Sequence, residues 1–281
     1  MEQLPRLEAR IISLEELRGL MRALRMLAAS HVQEAQTALV GIRRYVQVIE
    51  DALCEGASLL NDTAQESLAP QLPGASLLIV VCSEQGFAGA FNERLLDRAE
   101  AERKSGQGLG VIGRRGALLA EERGLELVWH FPMATHVGGV LDTTRRVAEQ
   151  LATVSDIDIV FGNYRKGGNY DVVWRRILPL DPTLLGRSTL RAPPLHHLAP
   201  VLLLQRFADE YLFTEITRAV MESLASENGA RLRVMEAADH NIGNKLDDLH
   251  QKEHALRQEA ITSELLDVVT GVEAILGNAG S

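Results

Sequence analysis

Apolar side chains recur every three or four residues along the first part of this chain. Steps of alternately four and three residues from Leu7 to Leu53 meet only two polar positions, Arg18 and Arg25. A repeat of 3.5 residues, sustained over about seven heptads without an interrupting proline, is typical of a coiled-coil helix. The pattern therefore predicts one long helix over residues 1–55.

The last part of the chain carries a similar stripe from Leu204 to Ala260. Its polar positions are Thr214, Arg218, Asn228, Asp239 and Glu253. No proline follows Pro200, so a second coiled-coil helix is predicted over residues 200–281. At 1.5 Å per residue the two helices would be roughly 80 and 115 Å long, which exceeds the ~50 Å diameter of a compact body of this chain length. We expect them to pair, antiparallel, as a protruding rod.

The segment between the helices has a different pattern of apolar residues. Short apolar runs at 75–82, 109–112, 125–131 and 157–164 alternate with helical stretches, and this alternation predicts a largely parallel sheet covered by helices. A further strand is expected at 170–180, paired with 157–164. The predicted fold class is therefore α/β plus a long antiparallel coiled coil, in which a Rossmann-like parallel-sheet domain is inserted between the paired terminal helices. The inserted domain covers 74–181, with hinges at 56–73 and 182–199.

The free ends of the rod are apolar around nearly the whole helix circumference. This holds for residues 17–28 and again for residues 261–276. A helix of this kind is buried on all sides, and a rod that protrudes from its own domain cannot provide the cover. We therefore expect an external sleeve, with folding back or dimerisation of the rod as the alternative.

Composition and charge narrow the classes of function. The 29 Lys and Arg residues against 38 Asp and Glu give a net charge of −9, which argues against a general nucleic-acid binder. The two cysteines, Cys54 and Cys82, indicate neither a disulfide framework nor a zinc knuckle. Acidic residues interrupt the N-terminal apolar positions, so no targeting peptide is expected, and no run approaches the length of a membrane span.

Two motifs suggest chemistry. The turn Gly86–Asn92 follows a predicted strand and opens a helix, a setting that can bind phosphate, but it lacks the GxGxxG spacing, so a tight structural turn is the favoured interpretation. His250, Glu253 and His254 fit the pattern HxxEH of some zinc peptidases, yet they lie on a predicted rod helix without a cleft, which favours a solvated helix face. No catalytic residue, cofactor or metal is predicted.

Several segments in colinear order resemble the γ subunit of F-type ATP synthases. The first is the opening helix, with Arg10-Ile-Ile-Ser13 and the run Met21–Ser30. The next are the glycine-rich turn Cys82–Asn92 and the strand and turn Val111–Gly116. The most specific is the C-terminal block, comprising Glu222–Asn228, Ala230-Arg231, Met235, Asn241, Arg257–Thr262 and Glu264-Leu265.

The resemblance implies a non-catalytic rotor shaft that couples ion transport to ATP synthesis or hydrolysis. Its partners would be the α and β subunits of the catalytic head, an ε-type stalk subunit and the membrane ring of c subunits. Its location would be the cytoplasmic face of the bacterial inner membrane, reached through the complex. The alternative is a phosphate-ligand-binding α/β enzyme with a dimerising coiled-coil arm, and the third hypothesis is the zinc peptidase.

The interpretation as a shaft assigns roles to the residues of its apolar ends and to nearby polar residues, and for Arg257, Gln258 and Thr262 the resemblance implies the role. The expected coupling contacts to β are Arg22, Arg25, Arg257, Gln258 and Thr262. The expected bearing surface is Leu17, Leu20, Met21, Leu24, Leu27, Leu265, Val268, Val269, Val272 and Ile275. The chain departs from the family pattern at Glu84-Gln85, at Leu190–Pro194 and around His254, which indicates a divergent member and makes contacts with the ring the least transferable part.

Overall fold

The computed structural model describes residues 3–59, 75–181 and 196–278, and of residues 267 and 270–278 it describes the helical backbone only. Most of both predicted hinges, including Leu190–Pro194, lies outside the described residues. The elements in chain order are α1 (Gln3–Ala57), β1 (Ala75–Val81), α2 (Phe91–Glu102), β2 (Gly108–Ile112), α3 (Arg114–Glu122), β3 (Trp129–Phe131), α4 (Val140–Gln150), β4 (Val154–Tyr164), β5 (Tyr170–Leu178) and α5 (Pro200–Asn278).

The sheet has five strands in the order β3-β2-β1-β4-β5. The first four are parallel, whereas β5 runs antiparallel to β4, with Tyr164 opposite Tyr170. The sheet is therefore mixed and not wholly parallel, because a short turn at 165–169 is long enough only for an antiparallel return. The prediction of a hairpin between these two strands is confirmed.

Two of the predicted strands are shorter in the structure by two residues or more. The strand expected over 125–131 forms only at Trp129–Phe131, where it pairs as an edge strand with residues 110–112 of β2. The strand expected over 170–180 ends at Leu178. Pro179 follows, and a proline has no N–H group with which to continue the ladder.

The chain forms two compact units, the first comprising residues 1–26 with 235–281 and the second residues 27–234. In the second unit the sheet is covered on both faces. Leu77, Ile79 and Val81 of β1 belong to one apolar cluster with side chains of α1, α4 and α5. Leu78 and Val80 belong to another, with side chains of α2 and α3. Because alternate residues of a strand point to opposite faces, the continuous apolar run of β1 serves both clusters.

The first unit is a pair of antiparallel helical segments. Ile11 of α1 packs with Leu246 and Leu249 of α5, and the partly buried Leu14 and Ile242 extend this seam. The buried positions fall on the two apolar stripes, as expected for a heptad pattern. In the described part of the chain, no helix carries a stretch that is both long and apolar enough to cross a bilayer.

Candidate functional site

The first unit exposes apolar side chains on both of its helical segments. Leu17 and Leu20 of α1 are 41% and 54% exposed, and Leu265 and Val269 of α5 are 61% and 53% exposed. The two pairs lie at separate places along the unit, since Arg18 pairs with Asp239 and Leu265 follows Asp239 by 26 residues of α5, roughly 39 Å. Each pair is therefore a separate candidate contact for a partner.

The other expected bearing residues lie in several environments. Val268 is exposed, whereas Leu24 is half-buried and Met21 is buried within the first unit. Leu27 is exposed in the second unit. The side chains of Val272 and Ile275 lie outside the described residues. Met21 therefore contributes to the packing of the unit and not to its exposed surface.

Three arginines of α1 converge on one carboxylate of α5. Arg18 Nε lies 2.8 Å from Asp239 Oδ1, Arg22 Nε lies 3.1 Å from the same oxygen, and Arg25 Nη1 lies 3.9 Å from Oδ2. The hydrogen bond from Arg18, followed by that from Arg22, lowers the pKa of Asp239. Three guanidinium groups around one carboxylate leave an excess of positive charge, and this cluster is suited to an acidic partner.

The second group of expected coupling residues lies further along α5. Arg257 Nη2 lies 3.0 Å from Glu8 of α1 and 2.7 Å from Glu253. The Thr262 hydroxyl donates a hydrogen bond of 2.8 Å to the carbonyl of Gln258. Gln258 and Thr262 are both exposed, and among the described residues the side-chain amide of Gln258 has no hydrogen-bond partner. That amide is free to bind a group on another chain.

The HxxEH motif forms no metal centre in the described residues. His250 Nδ1 lies 3.3 Å from Glu253 and Nε2 lies 3.9 Å from Glu15, whereas His254 is exposed. Within residues 3–59, 75–181 and 196–278, no three His, Cys, Asp or Glu side chains are grouped so that they could hold a metal ion. The geometry does not favour the zinc-peptidase hypothesis.

The glycine-rich turn connects β1 to α2 and is fixed by side chains at both ends. Asn92 Oδ1 accepts a hydrogen bond of 2.8 Å from the backbone N–H of Ser83, and its amide donates one of 2.8 Å to the Ser83 hydroxyl. Glu84 accepts hydrogen bonds from the backbone N–H groups of Arg114 and Met133. The turn is therefore tied to the segments that follow β2 and β3.

Helix α5 fills the edge of the sheet at which parallel strands end. Ser223 Oγ donates to the Val81 carbonyl and accepts from the Gly162 backbone N–H, both at 3.0 Å. Ser226 Oγ donates to the Gly162 carbonyl at 2.9 Å. Open α/β sheets bind ligands at this edge, but here it is covered by buried side chains of the same chain. The geometry gives no support to the alternative of a phosphate-binding enzyme.

Two features of the site were missed from the sequence. The first is the pairing of Asp239 with the arginines of α1, although Arg18, Arg25 and Asp239 all interrupt the apolar stripes. Opposite charges at seam positions of two antiparallel helices are a signal that could have suggested the pair. The second is the role of Ser223 and Ser226, whose hydroxyl groups bind the sheet and not solvent.

Comparisons with known proteins agree with the resemblance. A family model described as ATP synthase matches residues 3–275. Proteins named ATP synthase gamma chain are similar to this chain over its whole length. The protein of Geobacter sp. (strain M21) is 26% identical, and the match covers 99% of this chain and 100% of the relative. The protein of Sorangium cellulosum is 28% identical, and the match covers 98% of this chain and 99% of the relative.

Solved structures of low identity share the fold. A chain of the Euglena gracilis mitochondrial ATP synthase, in a structure of OSCP/F1/c-ring, superposes with a TM-score of 0.70 at 13% identity, covering 98% of this chain and 95% of that chain. A chain of the rotor of the same enzyme gives 0.67 at 14% identity, covering 92% and 99%. The prediction of the family from the sequence is thus confirmed, and the chain belongs to the ATP synthase family, among relatives that are gamma chains.

Proposed function

We propose that this protein is the central rotor shaft of an F-type ATP synthase. The observation that carries the proposal is the apolar side chains of Leu17, Leu20, Leu265 and Val269, which the antiparallel helix pair of the first unit leaves exposed. Exposed apolar side chains are stabilised when a surrounding protein removes them from water. The names of the relatives and the titles of the similar structures, which include a central stalk and a rotor, point to the same role.

The shaft is proposed to act by presenting different faces to identical partners. Its surface is asymmetric, since Arg22 and Arg25 lie on one helix and Gln258 and Thr262 on the other. Three β subunits around such a shaft would each meet a different set of contacts and take a different conformation. Rotation exchanges these contacts, so differences in contact energy between the states couple ion flow to ATP synthesis or hydrolysis. The shaft itself needs no catalytic residue.

The partners follow from the same assignment. The α and β subunits would surround the exposed surface of the first unit. The mixed α/β sheet, whose strand order we interpret as Rossmann-like, would meet an ε-type stalk subunit and the ring of c subunits. Such a complex lies at the cytoplasmic face of the bacterial inner membrane, and this chain would be peripheral to it.

The experiment that tests the proposal is co-expression of the tagged chain with the ATP synthase α and β subunits of the same organism. We expect a complex of three α, three β and one copy of this chain, with ATPase activity that depends on the chain. Recovery of the chain alone or as its own dimer, without α and β, would contradict the assignment.

The contacts proposed for Gln258 and Thr262 predict a defect confined to the complex. We expect Gln258→Ala combined with Thr262→Ala to lower coupled turnover about fivefold, because two hydrogen bonds to β of roughly 0.5–1.5 kcal/mol each would be lost. Helicity of the isolated chain, measured by circular dichroism, should stay unchanged because both residues are exposed. Glu259→Ala, at a neighbouring exposed position, serves as the control. Turnover equal to that of the control would remove the pair from the mechanism.

A further inference from the structure

One carboxylate of α5 serves three arginines of α1, and its two oxygens are occupied unequally. Asp239 Oδ1 accepts hydrogen bonds from Arg18 Nε at 2.8 Å and from Arg22 Nε at 3.1 Å. Arg25 Nη1 lies 3.9 Å from Oδ2, which is an ion-pair distance but too long for a hydrogen bond. All four residues belong to the first compact unit. Arg25 is therefore held less firmly than the other two arginines.

Arg18 is the arginine that the helix pair fixes in place. Its guanidinium group lies against Gly243, one helical turn beyond Asp239, where an added Cβ atom would lie only 2.9 Å from Arg18 Nη2. Helix α5 thus provides both the counter-charge and the space for this side chain. Arg22 is 52% exposed, and Arg25 has no hydrogen bond to the carboxylate. These two arginines are accordingly the ones that another chain can reach.

The balance of charge makes Arg22 and Arg25 available to an acidic partner. Three positive groups share one negative group, and in the described part of the chain no other carboxylate forms an ion pair with any of the three arginines. Ion pairs between exposed side chains are weak, so a carboxylate of another chain can replace Asp239 as the acceptor. A bound partner would then compete with Asp239 for the same guanidinium groups.

We propose that Asp239 competes with acidic groups of a β subunit for Arg22 and Arg25. The inference rests on the proposed shaft function. When the shaft turns, one β subunit has to release an arginine before the next subunit can bind it. Asp239 offers the released guanidinium group an acceptor within the shaft, so it reduces the difference in energy between the bound and the released positions.

The first measurement uses the free full-length chain. Phenylglyoxal reacts selectively with arginine side chains, and mass spectrometry of peptides gives the rate at each position. In Asp239→Asn we expect Arg22 and Arg25 to react about threefold faster, because a carboxylate no longer holds them. Glu236→Gln is the matched control, since Glu236 is an exposed carboxylate on the same helix that does not pair with these arginines. Its rates should equal those of the parent.

The second measurement uses the complex with the α and β subunits. Asp239→Asn should bind β more tightly, so that a higher salt concentration is needed to release the tagged chain and ATPase turnover falls about threefold. Glu236→Gln should equal the parent in both quantities, which excludes a general effect of net charge. In a chain that carries Arg22→Ala and Arg25→Ala, adding Asp239→Asn should change neither quantity, because the groups for which it competes are absent.

Two results would overturn the proposal while leaving the shaft function intact. One is labelling of Arg22 and Arg25 in Asp239→Asn at the rate of the parent. The other is a complex of Asp239→Asn that equals the Glu236→Gln complex in salt release and turnover. If the parent chain forms no complex with α and β, the shaft function and this proposal both fail. If circular dichroism shows that Asp239→Asn does not fold, Asp239→Ser removes the same carboxylate, and the same expectations apply.

Discussion

Replacing Leu265 and Val269 together by aspartate is expected to lower recovery of the assembled α, β and shaft complex at least tenfold. The two positions are one helical turn apart on α5 and share a face. In the proposed complex both side chains would be buried by the surrounding subunits. Burial of an unpaired carboxylate costs several kcal/mol, and about 1.4 kcal/mol already corresponds to a factor of ten in binding. The measurement is the yield of the complex in pull-down through the tagged chain, with its ATPase rate.

The isolated double variant should fold like the parent, because the two side chains are already 61% and 53% exposed. Circular dichroism of the free chain therefore separates a binding defect from a folding defect. Asn244→Asp is the control, since it adds a negative charge at an exposed position of the same helix outside the expected bearing surface. A normal yield of complex from Leu265→Asp with Val269→Asp would show that this surface is not enclosed by partners.

A second large effect is expected from Gly116→Ala in α3. A Cβ atom at this position would lie 2.0 Å from Cys82 Cβ and 2.4 Å from its Sγ, and Cys82 is fully buried. The substitution would gain about 1 kcal/mol of helix propensity, but the overlap with Cys82 forces a shift of the helix from the sheet. We expect a net loss of about 3 kcal/mol in the free energy of unfolding of the α/β domain.

Urea unfolding followed by tryptophan fluorescence reports on this domain, because Trp129 and Trp174 both lie in the sheet. Gly41→Ala is the matched control, since the Cβ built at this position of α1 has no neighbour within 4 Å. Adding Cys82→Gly to Gly116→Ala removes the overlapping atoms and should recover part of the lost stability. If Gly116→Ala alone unfolds at the same urea concentration as the parent, the close approach of α3 to β1 is not rigid.

The elements differ in how far the sequence could predict them. The two long helices were predictable because a heptad stripe repeats the same local signal many times. The strand β1 was predictable as well, since a short apolar run between helical stretches is typical of a central parallel strand. The limits of β3 could not be predicted from the sequence. Its length depends on how many residues pair with β2, and its own residues do not set that number.

The residues proposed to bind partners also differ in how much the sequence could predict about them. The sequence marked Arg22, Arg25 and Arg257 through a family pattern but did not show that their counter-charges Asp239, Glu8 and Glu253 are in the same chain. The pairs with Asp239 and Glu8 join positions more than 200 residues apart, so they depend on the register of the two helices. The pair with Glu253 lies within one helix, four residues apart. Register follows from the fold of the whole pair.

The amino-acid sequence alone predicts the local structure and the family of this protein, because helix periodicity, the order of the elements and the family motifs depend on residues that are close together in the chain. Which polar residues are buried depends on the folded structure. Ser223 and Ser226 look like the solvated face of a helix, yet they bind the end of the sheet. The physical reason is that a buried polar group is tolerated only where donors and acceptors from distant segments satisfy it, and such partners exist only once the chain has folded.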